Sequence, residues 1–290
     1  MEITASMVKD LRERTGAGMM DCKKALVESN GDMDKAIDYL REKGISKAAK
    51  KAERIAAEGL ANIYVKGDNA AVIELNSETD FVAKNAEFKE LLDKIGEAVL
   101  KGKPATLEEA LELKSGKETL NDLIVNATAK IGEKISLRRF EVVKKKKTEV
   151  FGSYLHMGGK IASLTVVEGD NEEVAKDTAM QAAAMRPLYT TIDSVPAEDL
   201  EHEKGVIKEQ VINEGKKPEF ADKIVEGRIR KFYEETVLEE QAFIKDSGLS
   251  VKQYLENNKC KLVKLVRFEV GEGMEKRQDN FAEEVMSQIK

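Results

Sequence analysis

The hexapeptide Leu137-Arg138-Arg139-Phe140-Glu141-Val142 returns near the end of the chain as Leu265-Val266-Arg267-Phe268-Glu269-Val270, and Val82-Ala83-Lys84-Asn85 returns as Val174-Ala175-Lys176-Asp177. An internal repeat constrains the fold strongly, because one kind of structural unit must serve twice. In the first copy, Leu60 to Val65 has the period of a strand, Gly67-Asp68-Asn69 supplies a hairpin turn, and Ala71 to Leu75 returns. A helix follows with Phe88, Leu91, Leu92, Ile95 and Val99 at helical spacing. Thr106 with Glu109 forms a capping-box pattern for a short helix. Another helix bears Leu120, Leu123, Ile124, Ala127 and Ile131, and a strand from Ile135 to Val143 closes the unit. In the second copy, Val150 to Leu155 and Ile161 to Val167 make a hairpin around Gly158-Gly159, followed by a helix to Met185. The chain then departs into charged helical sequence and returns as a strand from Leu262 to Val270. The pattern predicts a multidomain α+β chain with two related subdomains, each an antiparallel sheet with helices on one face.

The remaining segments are fitted around this pair. Residues 1–44 read as three short helices. Thr4 caps the first, Gly16 and Gly18 turn the corner into the second, Asn30-Gly31 ends the second, and Asp32 caps a third that Gly44 closes. An Ala/Lys-rich helical linker covers 45–58, the first subdomain 59–143, and the second 144–193 with 233–270. Between the two pieces of the second subdomain, residues 194–232 read as an antiparallel helical hairpin. Its helices carry Leu200, Val206, Ile207 and Val211, then Phe220, Ile224, Ile229 and Phe232. They are joined across Gly215-Lys216-Lys217-Pro218, with the proline in the first turn of the second helix. Residues 271–290 are a glycine joint and a final amphipathic helix whose apolar positions, Phe281, Val285 and Ile289, suggest docking rather than fraying.

Charge and composition exclude several classes of function. A net charge of −6 argues against sequence-independent nucleic-acid binding, which depends on neutralising phosphates. The basic run Lys144 to Lys147 lacks interleaved aromatics and reads as a solvated turn. No apolar stretch is long enough to span a bilayer, and the first residues predict neither a secretory leader nor a transit peptide. Two cysteines make a disulfide framework unexpected, so the chain reads as cytoplasmic. Gly158-Gly159-Lys160-Ile161 has Tyr154 where a phosphate-binding loop needs its first glycine, and no hydroxyl after the lysine. Cys22, His156, His202 and Cys260 are scattered singly, unlike metal ligands. Neither a cofactor, direct nucleotide binding nor an enzymatic activity is expected.

Contact features remain. Met19 and Met20 follow a double-glycine corner with Arg12 and Arg14 one turn before. Adjacent methionines cannot share one helix face, so either both are accommodated in the bundle or one is offered to a partner. The stretch from Glu74 to Lys84 leaves a buried-looking strand and places Thr79, Asp80, Phe81 and Val82 at a joint where loops usually hold small polar residues. Phe81 lies seven residues before Phe88 and fourteen before Ile95, as a core stripe would. Sliding the chain by 92 residues, however, places Phe81 on Glu173, so the shared architecture does not demand a ring there. Core and partner readings both stand. His156, beside the Gly158-Gly159 turn, suits an interface or structural role.

These residues resemble a known family. The segment from Leu11 to Leu26, containing Arg12, Met19 and Met20, and the stretch from Glu74 to Lys84 are similar to the signatures of bacterial elongation factor Ts. The resemblance implies a guanine-nucleotide exchange factor for the GTPase elongation factor Tu, acting in translation elongation. It implies that the first three helices are a ubiquitin-associated (UBA)-like module on the partner's GTPase domain. Asp80 and Phe81 would bind the same domain, the ring wedging between partner helices and disturbing the magnesium and phosphate site. The second subdomain, with His156, would face the partner's third domain, and the final helix would add a contact. The competing expectation is a ribosome- or nascent-chain-associated adaptor without exchange activity.

Overall fold

The computed structural model describes residues 3–15, 17–215 and 218–275. Phe281, Val285 and Ile289 of the expected final helix therefore lie outside the described residues, as do Gly16 and the side chain of Phe220. The chain divides into two units, one of Met1–Tyr64, Ile73–Val142 and Glu269–Lys290, the other of Val65–Val72 and Val143–Phe268.

The first unit opens with three helices, α1 (Ala5–Thr15), α2 (Met19–Glu28) and α3 (Met33–Ala49). Their ends follow from local chemistry. The Thr4 hydroxyl accepts from the Met7 N–H at 3.3 Å, and the Asp32 carboxylate accepts from the Lys35 N–H at 3.1 Å. Asn30 and Gly31 take left-handed φ of 52° and 81°, which lets the Gly31 N–H reach back to the Leu26 carbonyl. Leu11, Cys22, Ala25, Leu26 and Ala36 form the buried centre. Gly44 does not close the third helix as expected. The helix runs on to Ala49, and the buried Gly44 packs toward Ala129. A single glycine costs a helix interior only about 1 kcal/mol relative to alanine, too little to end this one.

The chain continues with β1 (Glu58–Lys66), β2 (Asn69–Ser77), α4 (Asp80–Lys84), α5 (Ala86–Gly102), α6 (Leu107–Glu112), β3 (Lys114–Ser115), β4 (Glu118–Thr119), α7 (Leu120–Ile131) and β5 (Ser136–Lys144). The sheet order is β1-β2-β5, and the central strand is buried from Ala70 to Ser77. Helix α5 buries Phe88, Leu91, Leu92, Ile95 and Val99, at about 1.5–3 kcal/mol for each large side chain. Thr106 caps α6 as expected, but Glu109 accepts from the Ala105 N–H at 2.7 Å rather than from Thr106. A reciprocal capping box instead joins Thr119 and Asp122 at the start of α7.

The second unit holds β6 (Glu149–His156), β7 (Ile161–Glu168), α8 (Glu172–Met185), α9 (Ala197–Asn213), α10 (Pro218–Thr236), β8 (Ala242–Phe243), β9 (Asp246–Ser250), α11 (Val251–Asn257) and β10 (Lys261–Glu269). Its sheet order is β10-β7-β6, so the second strand of the hairpin is again central. Strands β6 and β7 pair antiparallel, from Glu149 with Glu168 to His156 with Ile161. The core gathers Val167, Val174, Ala182, Leu238, Phe243, Leu255 and Leu262. Helices α9 and α10 form the expected pair around a separate small core of Ile207, Val211 and Ile229.

The repeat is more complete than the sequence matches indicate. Each unit also contains a short hairpin, β3-β4 or β8-β9, leading into a helix opened by a capping box, Thr119 with Asp122 or Ser250 with Gln253. The segment after α10, read as charged helix, is thus a hairpin and a short helix. Buried Gln181 and Gln241 hold it in place. Gln181 Nε2 donates to the Ala242 carbonyl at 3.1 Å, its Oε1 accepts from the Ile244 N–H at 2.8 Å, and Gln241 Nε2 donates to the Glu235 carbonyl at 3.0 Å. These bonds satisfy backbone groups that a helix would have paired locally.

Candidate partner-contact site

Strand β2 ends at Ser77, and its hydroxyl donates to the Thr79 carbonyl at 2.9 Å, bending the chain out of the sheet. Thr79 is the N-cap of α4, accepting from the Val82 N–H at 3.4 Å. Asp80 and Phe81 open the helix, while Val82 and Ala83 are buried beneath it. Asn85 ends α4 and at the same time caps α5, accepting from the Glu87 N–H at 2.9 Å. This double role breaks the helical phase between residues 81 and 88. Phe88 and Ile95 are fully buried, whereas Phe81 is 80% exposed. The core-stripe alternative for Phe81 is thereby removed.

Electrostatics reinforce the presentation of the ring. Lys84 pairs with Asp80 at 2.6 Å, one turn apart, and its Nζ stands 5.8 Å from the centroid of Phe81. The offset of 92 residues extends to the cap itself. Thr79 falls on Asn171, whose side chain caps α8 by accepting from the Val174 N–H at 3.1 Å. In both copies an N-cap precedes two outward positions and then a buried Val-Ala pair, Val82-Ala83 or Val174-Ala175. The architecture therefore points residue 81 and its counterpart Glu173 outward.

A strap that sequence reasoning missed fixes this joint. Glu133, between α7 and β5, accepts from the Thr79 N–H at 3.0 Å and from the Thr79 hydroxyl at 2.8 Å. In return, Glu78 accepts from the Lys134 N–H at 2.6 Å and from Arg54 at 3.3 Å. Each segment thus lends a carboxylate to the other's backbone. No local pattern in the sequence announces these partners.

The other expected contact residues are placed as follows. Helix α2 turns Cys22, Ala25 and Leu26 inward, leaving Met19 and Met20 59% and 75% exposed. Both methionines, rather than one, face outward. Arg12 is exposed on α1, and Arg14 pairs with Asp10 at 3.0 Å. Arg12, Met19, Met20 and Thr79 to Val82 belong to the first unit, and His156 to the second. His156 is exposed at the end of β6, 6.1 Å from Tyr154 between ring centroids, with Met157 beside it 73% exposed. Left-handed φ at Met157, Gly158 and Gly159 makes the tight turn that displays them. His202 is exposed on α9. No helix among the described residues is long and apolar enough to cross a membrane.

Comparison with known proteins gives a consistent answer. A family model described as "Elongation factor TS" matches residues 78–272. The "Elongation factor Ts" of Limosilactobacillus reuteri (strain DSM 20016) is 55% identical over 288 residues, covering 99% of both chains. The "Elongation factor Ts" of Limosilactobacillus reuteri subsp. reuteri (strain JCM 1112) matches with the same identity and coverage. A family match across the contact stretch and both units, with relatives alike from end to end, shows that the chain belongs to the elongation factor Ts family.

Proposed function

We infer that this member of the family is the guanine-nucleotide exchange factor of elongation factor Tu, acting in the cytoplasm during translation elongation by binding rather than by bond-making chemistry. The single observation that carries the mechanism is the ring of Phe81, 80% exposed on a five-residue helix whose other large apolar side chain, Val82, is buried. Phe81, with Asp80 beside it, is the wedge that enters the partner's GTPase domain, while Thr79 caps its helix and Val82, expected as a contact, is instead buried and anchors the helix to the core. Arg12, Met19 and Met20, on the UBA-like bundle of α1 to α3, hold the same domain. His156, with Met157 beside it, meets the partner's third domain.

An exchange factor needs no nucleotide site of its own. It must bind the nucleotide-free partner more tightly than the nucleotide-bound one, and linkage then lowers nucleotide affinity by the same factor. Bound magnesium is the largest local charge holding the phosphates, so a ring that displaces the partner's metal-binding segment has leverage from a distance. Apolar burial of a phenyl ring in a fitted pocket supplies the binding energy for that displacement.

Stopped-flow release of a fluorescent GDP from elongation factor Tu tests this reading. Release accelerates with added chain and saturates. Release that stays at its unassisted rate, together with co-sedimentation of the chain with ribosomes, would instead identify an adaptor.

A further inference from the structure

We infer that Glu133 is a positioning residue for exchange, setting the orientation in which Phe81 is presented. The inference rests on Phe81 being the wedge. A five-residue helix is too short to hold its own geometry in water. The first return from Ala83 N–H to the Thr79 carbonyl is a long 3.5 Å, so the direction of the helix depends on how its cap is fixed. A threonine hydroxyl has one proton and can rotate, whereas an ionised carboxylate can only accept. Because the Thr79 hydroxyl donates to Glu133 at 2.8 Å and the Thr79 N–H donates to it at 3.0 Å, the hydroxyl lone pairs are left aimed at the Val82 N–H. Glu133 thereby anchors the first peptide of the wedge and orients its cap in one step.

The second copy of the fold supplies the comparison. There the cap is Asn171, whose amide oxygen accepts without needing a proton to be taken away, and its helix α8 runs for 14 residues. By the offset that joins Leu137 to Leu265, Glu133 falls on the exposed Lys261. The carboxylate strap is therefore no general requirement of the unit. It accompanies the short helix that carries an exposed ring.

The test is a double-mutant cycle on maximal GDP release from elongation factor Tu at saturating exchange factor, using Glu133→Ala, Phe81→Ala and the pair. Loss of hydrogen bonds to a charged group should lower the maximal acceleration about tenfold for Glu133→Ala. The pair should be no slower than Phe81→Ala alone, because Glu133 acts through the ring. Release unchanged by Glu133→Ala, or losses that multiply in the pair, would overturn the inference while leaving the wedge intact. Release unchanged by Phe81→Ala would overturn the wedge and the inference with it. A second readout covers a poorly folding Glu133→Ala. The chain has no tryptophan, so Phe81→Trp places a single reporter at the site. Its fluorescence anisotropy in the free protein should fall when Glu133→Gln is added, and equal anisotropy would contradict a positioning role.

Discussion

Glu74 sits on the central strand with its side chain fully buried, and what satisfies it is non-local. Arg138 and Arg139 reach it at 2.9 and 2.6 Å, and the Gly271 N–H donates to it at 2.9 Å. Removing one side of a buried ion pair leaves the other uncompensated. Glu74→Ala should therefore lower stability by about 3 kcal/mol, at the low end for a broken buried pair because both arginines keep some solvent. Urea denaturation measures it, and a change under half that size would mean that solvent compensates the arginines. At the same scale, Phe81 shows where sequence reading stops. Its seven-residue spacing to Phe88 is visible, but the double role of Asn85 is a matter of backbone conformation, φ −67° and ψ 139°, and it resets the phase. The match of Thr79 to Asn171 is legible from the repeat. Glu133 is not, since it lies 54 residues from Thr79 and no local pattern pairs them.

Elements that obey a period were legible, and those fixed by tertiary hydrogen bonds were not. Helix α5 and the four long hairpin strands follow apolar spacing. Hairpin β8-β9 depends on Gln181, more than sixty residues away, for backbone partners, which no local pattern can announce. Helix–sheet approach gives a prediction of its own. A Cβ on Gly96 of α5 would lie 2.0 Å from the Tyr64 ring of β1. Helix propensity favours alanine over glycine by about 1 kcal/mol, but overpacking costs about 1–3 kcal/mol and the ring is held by Asp93 at 2.8 Å. Gly96→Ala should thus lower the melting temperature, and a rise would show that Tyr64 moves freely. In the second unit, burial first and then the hydrogen bond to Asp177 at 3.0 Å push the Tyr254 phenol up to about 12. The folded form holds this proton more tightly than the unfolded form, so the contribution is full below about pH 10 and is lost as pH rises through about 12. Tyr254→Phe should flatten the fall in stability across that window, measured by urea denaturation at stepped pH. An equally steep fall would assign the loss to other groups.

On the scale of the whole molecule, the inserted helical pair is built as an independent piece. Its core of Ile207, Val211 and Ile229 is distinct from the core of the second unit, and its two roots are stitched together. The Leu188 and Tyr189 N–H groups donate to the Thr236 carbonyl at 2.8 and 3.1 Å, and Tyr189 bridges to Val237. Replacing residues 194–232 by a short glycine-serine link should leave the rest folded, with a melting temperature shifted by no more than about 5 °C. Collapse of the near-ultraviolet circular dichroism would show that the pair supports the unit. Exchange by this chain turns on one exposed ring, and Phe81→Ala tests that most directly. With its helix ends, buried neighbours and strap unchanged, the variant should melt with the wild type. Its maximal acceleration of GDP release from elongation factor Tu should fall about thirtyfold, the equivalent of a contact worth about 2 kcal/mol. Release as fast as wild type, or a large drop in melting temperature, would contradict the wedge.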